Sequence, residues 1–489
     1  MARRSYKSDD SFLEKLVIGA TGTNKVISDL RNQGYQAIEL ERGSTGFTIW
    51  KTIKIKRVRV PDILCVDTGT RVESRAKTTL AISMSHSSAD ESRGWDFGLN
   101  DSDYVALVVC TRIGDRPVDW AAEDLVQYVK VSGLRTAFRT GKVIMEKPKG
   151  AQEGFESRVT WPAAVASNDG IVSSITSDRI QFKRLSDNRT ISLNLRRNGI
   201  TLEPLVDIGE TVRKNTILAS VVEATSILPK AHQVESEFYL KQLYSSSLAD
   251  RYCAAKAFST IPVADLPKEL LNKLLDESEH IYVRLEIAAN LARAGDAEGI
   301  KFIRNLLSDS YLEHRLEAVI ILGEIKNEEA CDLLREVLKD NTQNHEIRAG
   351  AAWSLGELNN SDCIPDLIGS FLAFHPNIQI EAARALAKLC GEHTPQVLQS
   401  FLEASEEERP GIAWALSKHG KWDLNDLLSH TPQDNNDARH WASYIIGSND
   451  KQRIISDIEK LMQLDPEMYF AVTLLWKLTS SWIYGLEEY

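Results

Sequence analysis

The stretch "HRLEAVIILGEIKN" (residues 314–327) decides the fold of the second half of this chain, because it carries the pattern of an amphipathic helix. Small and large apolar residues stand at positions i, i+3, i+4 and i+7, which places them on one face of a helix. Related stretches lie on either side, "VRLEIAANLARAGD" (283–296) and "IRAGAAWSLGELNN" (347–360). Each turns through Gly, Asn or Asp into a second helical pattern, so the sequence predicts recurring pairs of helices.

The repeat has a period near 31 residues, and two positions define it. The first is a polar position, occupied by Arg251, Arg284, Arg315, Arg348, Gln379, Arg409 and Arg439. The second is an apolar position seven residues later, occupied by Phe258, Leu291, Leu322, Leu355, Leu386, Leu416 and Ile446. Seven units in register predict a solenoid, in which each unit buries its apolar face against its neighbours.

This pattern resembles the HEAT family in its short bacterial form, over roughly residues 246–447 with a helical cap to Tyr489. The resemblance implies a curved surface, which in such arrays usually binds protein and sometimes nucleic acid. We interpret the recurring arginines as hydrogen-bond donors to neighbouring loops rather than as ligand contacts. Contact with a ligand is the alternative.

The length and charge of the chain indicate several domains with different partners. Its 489 residues exceed one hydrophobic core, and we expect domains at 1–150, 155–228 and 235–489. Residues 1–230 hold 34 Lys and Arg against 28 Asp and Glu, a balance of +6, whereas residues 231–489 hold 24 against 41, a balance of −17. A basic half suits nucleic acid, and an acidic half suits a protein partner or simple solubility.

Several features of the sequence predict a cytoplasmic protein without a membrane span. The longest apolar runs, such as "YVALVVC" (104–110), are too short to cross a bilayer, and "MARRSYKSDDSF" (1–12) lacks the apolar core of a secretory signal. The six cysteines include no CxxC pair, which predicts reduced, buried thiols and no cysteine zinc site. His86 is the one histidine before residue 232, so a metal site in the first half would need carboxylates.

The first domain reads as α/β with a mixed sheet. A helix is predicted over residues 12–35, continuous or broken at Gly19–Gly22, and a second helix over 119–134. Between them we predict strands in the following stretches: "QAIELER" (36–42), "FTIWKTIKIKR" (47–57), "VPDILCVD" (60–67), "RVESRAKTTLAIS" (71–83) and "YVALVVC" (104–110).

Within these strands, Pro61, Asp62 and Glu73 resemble the first parts of the motif of the PD-(D/E)xK restriction-endonuclease-like superfamily, as does the order of elements. The resemblance implies that Asp62 and Glu73 hold Mg²⁺ or Mn²⁺, which polarises a phosphate and activates water. The lysine expected two residues after the acid is replaced by Arg75, so Lys77 would serve the water and Arg75 would clamp the scissile phosphate. Glu14 on the first helix would be an additional metal ligand.

A basic ribbon beside this motif would contact nucleic acid. Its members are Lys54, Lys56, Arg57, Arg59 and Arg75, with Lys51 nearby. The structural alternative is that Asp62 closes a turn and that Glu73 pairs with Arg57, Arg59 or Arg71 across strands. His86 is interpreted as a loop histidine and Trp95 as a core anchor, with general-base and base-stacking roles as the alternatives.

The middle segment, residues 155–225, alternates strands with glycine turns. "PLVDIGETVRKNTILASV" (204–221) resembles the closing hairpin of the barrel-sandwich hybrid fold, with a turn at Gly209, and no attachment lysine for biotin or lipoyl is predicted. Arg184, Arg189, Arg196 and Arg197 give the segment a basic face that would touch phosphates or remain solvated.

Three functions remain open at the level of sequence. The first is a metal-dependent nuclease whose HEAT array recognises a partner, as in a bacterial antiviral defence or restriction factor. The second is a HEAT-repeat scaffold without enzymatic activity, which carries an inactive nuclease-like domain that binds nucleic acid. The third and weakest is a lyase that attaches bilin pigments, which the short HEAT repeats also resemble.

Overall fold

The computed structural model describes residues 9–40, 58–87, 89–90, 93–115, 117–147, 157–261, 267–448 and 451–474. The described residues up to 269, together with 277–283, form one compact unit. Residues 270–276 and the described residues from 284 onward form a second unit. The domain boundaries that the sequence predicts, near 150 and 230, stay predictions.

Up to residue 225, the described part of the first unit consists of two helices and many short strands. The first elements are α1 (Asp9–Asn32), β1 (Ala37–Glu39), β2 (Ile63–Cys65), β3 (Thr70–Lys77), β4 (Ile82–His86), β5 (Tyr104–Arg112), β6 (Trp120–Lys130), α2 (Val131–Arg139) and β7 (Ile144–Glu146). The remaining strands are β8 (Ser157–Trp161), β9 (Ala163–Val165), β10 (Gly170–Ile175), β11 (Arg179–Arg184), β12 (Thr190–Asn194), β13 (Arg196–Arg197), β14 (Ile200–Thr201), β15 (Glu203–Pro204), β16 (Thr211–Val212), β17 (Ile217–Ser220) and β18 (Ala224–Thr225).

A six-stranded mixed sheet organises this unit, in the order β1-β2-β3-β5-β6-β18. Strands β3 and β5 run parallel, and the other neighbours run antiparallel. Helix α1 covers one face, where Ala106 and Val108 of β5 are buried with Leu30. The opposite face buries Val105 and Leu107 against a cluster that includes Trp161. Because both faces are covered, β5 is buried and apolar from residue 104 to residue 110.

The helix predicted over residues 119–134 is wrong for most of its length, because Trp120–Lys130 form strand β6, which lies between β5 and β18. Val126 and Tyr128 of this strand face α1, and Val129 faces the opposite core. A strand that is buried on both faces offers apolar residues at adjacent positions, and their spacing imitates that of a helix. The helix predicted over 12–35 is confirmed as α1, which is continuous through Gly19 and Gly22.

The middle segment forms three small sheets around a core of its own. Their strand orders are β12-β11-β10-β16, β13-β14 and β15-β17-β9. Phe182, Ile180 and Leu218 are buried in its core, and Gly209 has a φ of +90°, as the predicted turn requires. Gln127 of β6 joins this segment to the large sheet, because its amide donates to Asn215 O at 2.9 Å and accepts from Ile217 N at 2.8 Å.

Helices follow to the end of the described chain. They are α3 (Ser236–Gln242), α4 (Leu248–Ala257), α5 (Pro267–Leu275), α6 (Ile281–Arg293), α7 (Ala297–Leu306), α8 (Leu312–Ile325), α9 (Glu328–Lys339), α10 (His345–Leu358), α11 (Ile364–Gly369), α12 (Pro376–Glu403), α13 (Arg409–His419), α14 (Leu424–Ser429), α15 (Asn436–Gly447) and α16 (Lys451–Leu464). Two short 3₁₀ turns flank α11, Ser361–Cys363 and Ser370–Leu372.

The predicted turns inside the repeats are confirmed, and they share one geometry. Gly295, Lys326 and Asn359 end the first helix of successive repeats with φ of 81°, 56° and 53°. The next residue in each repeat caps the second helix, and the caps are Asp296, Asn327 and Asn360. A left-handed residue followed by a polar cap satisfies the helix end and the next helix start together.

The repeat register is confirmed by burial. All seven apolar residues at the predicted position, from Phe258 to Ile446, are 2% exposed or less. Among the described residues, none of the helices combines the length and the apolar character that crossing a membrane requires.

Candidate functional site

Asp62, the first residue of the predicted motif, caps a strand edge. It lies directly before β2, whose first residue Ile63 pairs with Val72 of β3. The Asp62 Oδ2 atom accepts a hydrogen bond from Ser74 N at 2.7 Å. β2 pairs with β3 only as far as Val72, so β2 offers no backbone acceptor to Ser74 N. The Asp62 carboxylate supplies that acceptor.

Glu73 and Arg75 of β3 form an ion pair with each other. Arg75 Nη2 lies 2.7 Å from Glu73 Oε1, and both side chains are mostly buried. The two residues share a face of the strand, as the sequence predicts. The charge of Glu73 also favours the protonated form of Arg59, one of the partners that the structural alternative named.

Lys77 is held by three oxygen atoms near the end of β3. Its Nζ donates to Ala81 O at 2.8 Å, Ser83 O at 2.6 Å and Ser83 Oγ at 2.7 Å. Burial, with the charges of Arg158 and Arg75, lowers the pKa of Lys77 to about 7. The amine therefore ties β3 to β4, and its donors are used within the protein.

The remaining predicted metal ligand, Glu14, binds an arginine. Arg112 Nη2 donates to Glu14 Oε1 at 2.8 Å. In the part of the chain that the structure describes, no group of three or more His, Cys, Asp and Glu side chains could hold a metal ion. The Mg²⁺ or Mn²⁺ expected with Asp62, Glu73 and Glu14 is untested.

The predicted nucleic-acid ribbon falls largely outside the described residues, because Lys54, Lys56 and Arg57 lie there. Arg59 is exposed. Trp95 is confirmed as a core anchor, since it is 3% exposed and its ring centroid lies 5.0 Å from that of Trp161. His86 ends β4 and packs edge to face on Phe138.

The recurring arginines of the array bind backbone carbonyls at the end of the preceding helix. Arg284 Nε donates to Leu274 O at 2.8 Å, and Arg348 Nε donates to Leu338 O at 2.9 Å. Gln379 makes the same type of bond to two carbonyls, at 2.9 Å each. The interpretation of these residues as loop hydrogen-bond donors is confirmed.

Some of these arginines also reach a side chain in the next repeat, 28 residues ahead. Arg251 binds Glu279 at 2.9 Å, Arg315 binds Gln343 at 2.8 Å and Arg409 binds Asp437. Together with the carbonyl contacts, these bonds engage two guanidinium nitrogens of Arg251 and Arg315 and all three of Arg409. The repeat position is therefore used by the fold itself.

The second unit does offer an open pocket of about 450 Å³ between α12 and α13. Its floor is mainly apolar, and the pocket edges carry one arginine and one glutamate. The lining residues are Phe371, Gln379, Ile380, Ala383, Arg384, Glu407, Pro410, Gly411 and Trp414. Ile380 at the mouth is 46% exposed, and Leu372 and Phe374 nearby are 59% and 94% exposed.

Gly411 shapes this pocket. A Cβ atom at Gly411 would lie 2.6 Å from the ring of Phe371, so the glycine lets that ring lie directly against α13. The Trp414 ring lies beneath the ammonium of Lys418, which is 5.7 Å from the ring centroid. The pocket thus combines a large aromatic surface with a fixed shape.

The sequence contains a signal for this pocket in two tryptophans that stand at one repeat position. Trp414 stands five residues after Arg409, and Trp353 stands five residues after Arg348. The burial of both side chains is intermediate, and both lie beneath a lysine. A large aromatic residue that recurs at one repeat position without full burial indicates a surface that the array presents.

Comparison with known proteins finds HEAT repeats in the second half, where the family model matches residues 267–344 and 341–417. A curated relative, deoxyhypusine hydroxylase of Candida glabrata, is 29% identical over 143 residues. The match covers 28% of this chain and 43% of the hydroxylase, so less than half of that protein is represented.

Solved structures give low overall scores. The complex of CpcE and CpcF of phycocyanin lyase from Nostoc sp. PCC7120 is 20% identical with a TM-score of 0.25, over 51% of this chain and 96% of that one. Human deoxyhypusine hydroxylase is 15% identical with a TM-score of 0.21, over 50% and 96%.

The expected nuclease function is wrong. The family match falls on HEAT repeats and the curated match on a hydroxylase, and neither is a nuclease. The contacts of the motif agree with this correction, because Glu73 is paired with Arg75 and the Lys77 amine donates to a carbonyl oxygen of β4. The alternative reading, a HEAT-repeat scaffold, fits these findings better.

Proposed function

We propose that this protein is a non-enzymatic HEAT-repeat scaffold that binds a short segment of a partner protein at the pocket between α12 and α13. One observation carries the proposal: a mainly apolar pocket of about 450 Å³ lies open on the array, with Ile380 exposed at its mouth. Aromatic side chains in pockets of this kind supply much of the binding free energy at protein interfaces. The ligand would insert a bulky apolar side chain.

The rim of the pocket favours an extended peptide over a free small molecule. Arg384 and Glu407 both line the pocket, and the side chain of Arg384 is 40% exposed and forms an ion pair with Glu381. These charges offer a donor group and an acceptor group to the main chain of a bound segment. The exposed apolar residues Leu372 and Phe374 extend the surface beyond the pocket itself.

The proposal is tested by selecting peptides from a displayed library on the full-length protein and measuring their affinity by fluorescence anisotropy. We expect Trp414→Ala to weaken binding by about thirtyfold or more, because an interface tryptophan contributes about 2 kcal/mol or more. Trp353→Ala is the matched control and should leave the affinity unchanged. Equal affinity for both variants, or a selection without any specific peptide, would reject the pocket as the binding site.

We further propose that the first unit is a non-catalytic relative of the restriction-endonuclease-like fold, followed by a barrel-sandwich-like segment, and that it binds nucleic acid. The mixed sheet covered by α1 supports the fold. The exposed side chains of Lys183, Arg189, Arg196 and Arg197 support the partner, because they form no ion pair within the described part of the chain. Free basic groups of this kind bind phosphates.

A further inference from the structure

Two cysteines of neighbouring repeats meet inside the array. Cys331 lies in the first turn of α9, and Cys363 ends the 3₁₀ turn Ser361–Cys363 before α11. Their Sγ atoms are 3.0 Å apart, although 32 residues separate them in the chain. The separation is close to one repeat period, so stacking of the repeats brings the same part of each unit together.

The two thiols differ in their surroundings. A hydrogen bond from Cys363 and the nearby Arg335 lower the pKa of Cys331, and the same hydrogen bond and burial raise the pKa of Cys363. Asn360 Nδ2 also lies 3.8 Å from Cys331 Sγ. These surroundings favour the thiolate form at Cys331 over that at Cys363.

The other cysteines lack this environment. Burial raises the pKa of Cys65, Cys253 and Cys390 to about 12 and that of Cys110 to about 11. Thiols with raised pKa values react slowly with oxidants, because the thiolate is the reactive form. The described structure thus holds one close pair of cysteines with one activated member, beside four inert thiols.

We propose that Cys331 and Cys363 are an oxidation site at which a peroxide joins two neighbouring repeats through a reversible disulfide. The Cys331 thiolate attacks hydrogen peroxide, the O–O bond breaks, and Cys331 becomes a sulfenic acid as the departing hydroxide is protonated to water. Cys363 then attacks the Cys331 sulfur and the S–O bond breaks. The proton of Cys363 leaves with that oxygen as a second water.

Electrons and protons balance in this reaction. Two thiols lose two electrons and two protons, and the peroxide gains them to become two molecules of water. The sulfur atoms need to approach from 3.0 Å to a disulfide length of about 2.05 Å, which small side-chain rotations can provide. The new bond would close a loop between α9 and α11, which restricts the unfolded chain and so favours the folded array.

The test uses the full-length protein, reduced, desalted and treated with hydrogen peroxide in slight excess. Free thiols titrated in denaturant should fall from six to four, and peptide mapping should find residues 331 and 363 linked. The thermal midpoint of the array should rise and return after treatment with dithiothreitol. Retention of six thiols, or a disulfide that omits either cysteine, would overturn the proposal.

Variants separate this site from general oxidation. Cys331→Ser and Cys363→Ser should both abolish the gain in thermal midpoint, whereas Cys390→Ser, a buried cysteine of the same unit, should still lose two thiols on oxidation. Peptide mapping of the unmodified protein decides the question even where a variant folds poorly. Over-oxidation of Cys331 to a sulfinic acid without a disulfide would contradict the role of Cys363.

Discussion

At the scale of single residues, arginines that are tied to fixed partners hold this protein together, and Arg71 is the most buried example in the first unit. Its Nε binds Asp103 at 2.9 Å and its Nη1 binds Asp250 at 2.8 Å, while its side chain is 4% exposed. Asp103 also accepts from the backbone N atoms of Arg71 and Asn100. The guanidinium thereby joins strands β3 and β5 to helix α4.

Arg71→Met should destabilise the first unit by about 3–5 kcal/mol, because it leaves the buried carboxylate of Asp103 without its counter-charge. Burial already raises the pKa of Asp103, and loss of Arg71 should raise it further. A group whose pKa is higher in the folded state favours folding more as the pH falls. The loss of stability in Arg71→Met should therefore be largest near neutral pH. It should shrink as the pH falls toward the ordinary pKa of an aspartate, about 3.9.

The control for this prediction is Arg135→Met. Arg135 also binds two carboxylates, Asp96 at 2.6 Å and Asp101 at 2.7 Å, but its side chain is 26% exposed and that of Asp101 is 67% exposed. An exposed pair contributes about 1 kcal/mol or less. Urea unfolding of both variants at several pH values measures the difference, and equal losses at all pH values would show that burial of Arg71 is unimportant.

At the scale of elements, the sequence predicts what local chemistry specifies and fails where distant contacts decide. The helices of the array follow from apolar spacing within each segment, and their turns follow from Gly295 and Asn359. The residues of strand β6 are predicted as a helix, because the strands that decide their conformation, β5 and β18, are distant in the sequence. The prediction from the motif around Asp62 is wrong for a similar reason. The β4 carbonyl oxygen that accepts from Lys77 lies on another strand, and no pattern in the sequence indicates this contact.

The repeated turn gives a prediction at this scale. Lys326 adopts a φ of 56°, a conformation that strains a residue with a Cβ atom, while Gly295 fills the same place in the preceding repeat. Lys326→Gly should stabilise the array by about 0.5–1 kcal/mol, because relief of a strain of about 1–2 kcal/mol exceeds the entropy cost of glycine. The measurement is the urea midpoint followed by helical circular dichroism.

Gly295→Ala is the reverse control, and it should destabilise the array by about 1 kcal/mol. A Cβ atom at Gly295 would meet no other atom within 4 Å, so the effect would be conformational and not a clash. If Lys326→Gly lowered the midpoint, strain at this turn would not limit the stability of the repeats.

At the scale of the whole molecule, the uneven charge of the chain suggests two kinds of partner. Residues 231–489 carry a net charge of −17, which repels polyanions. The expected partner of the array is therefore a peptide. Within the basic first half, Arg196 and Arg197 directly precede a hairpin turn at Asn198 and Gly199, whose φ values are 51° and 80°. The tight turn places both arginines near the tip of the hairpin, and as consecutive strand residues they point to opposite faces.

If this hairpin binds phosphates, the double variant Arg196→Ser and Arg197→Ser should weaken the binding of single-stranded and duplex nucleic acid alike. Each lost phosphate contact releases about one counterion fewer, so the slope of log K against log salt should fall by about 1.4–1.8. The double variant Lys301→Ser and Arg304→Ser removes the same charge from the acidic unit, where both side chains are exposed, and should leave the slope unchanged. Equal slopes for all three proteins would exclude the hairpin, whereas an equal reduction in both variants would mean that net charge, and not this surface, sets the affinity.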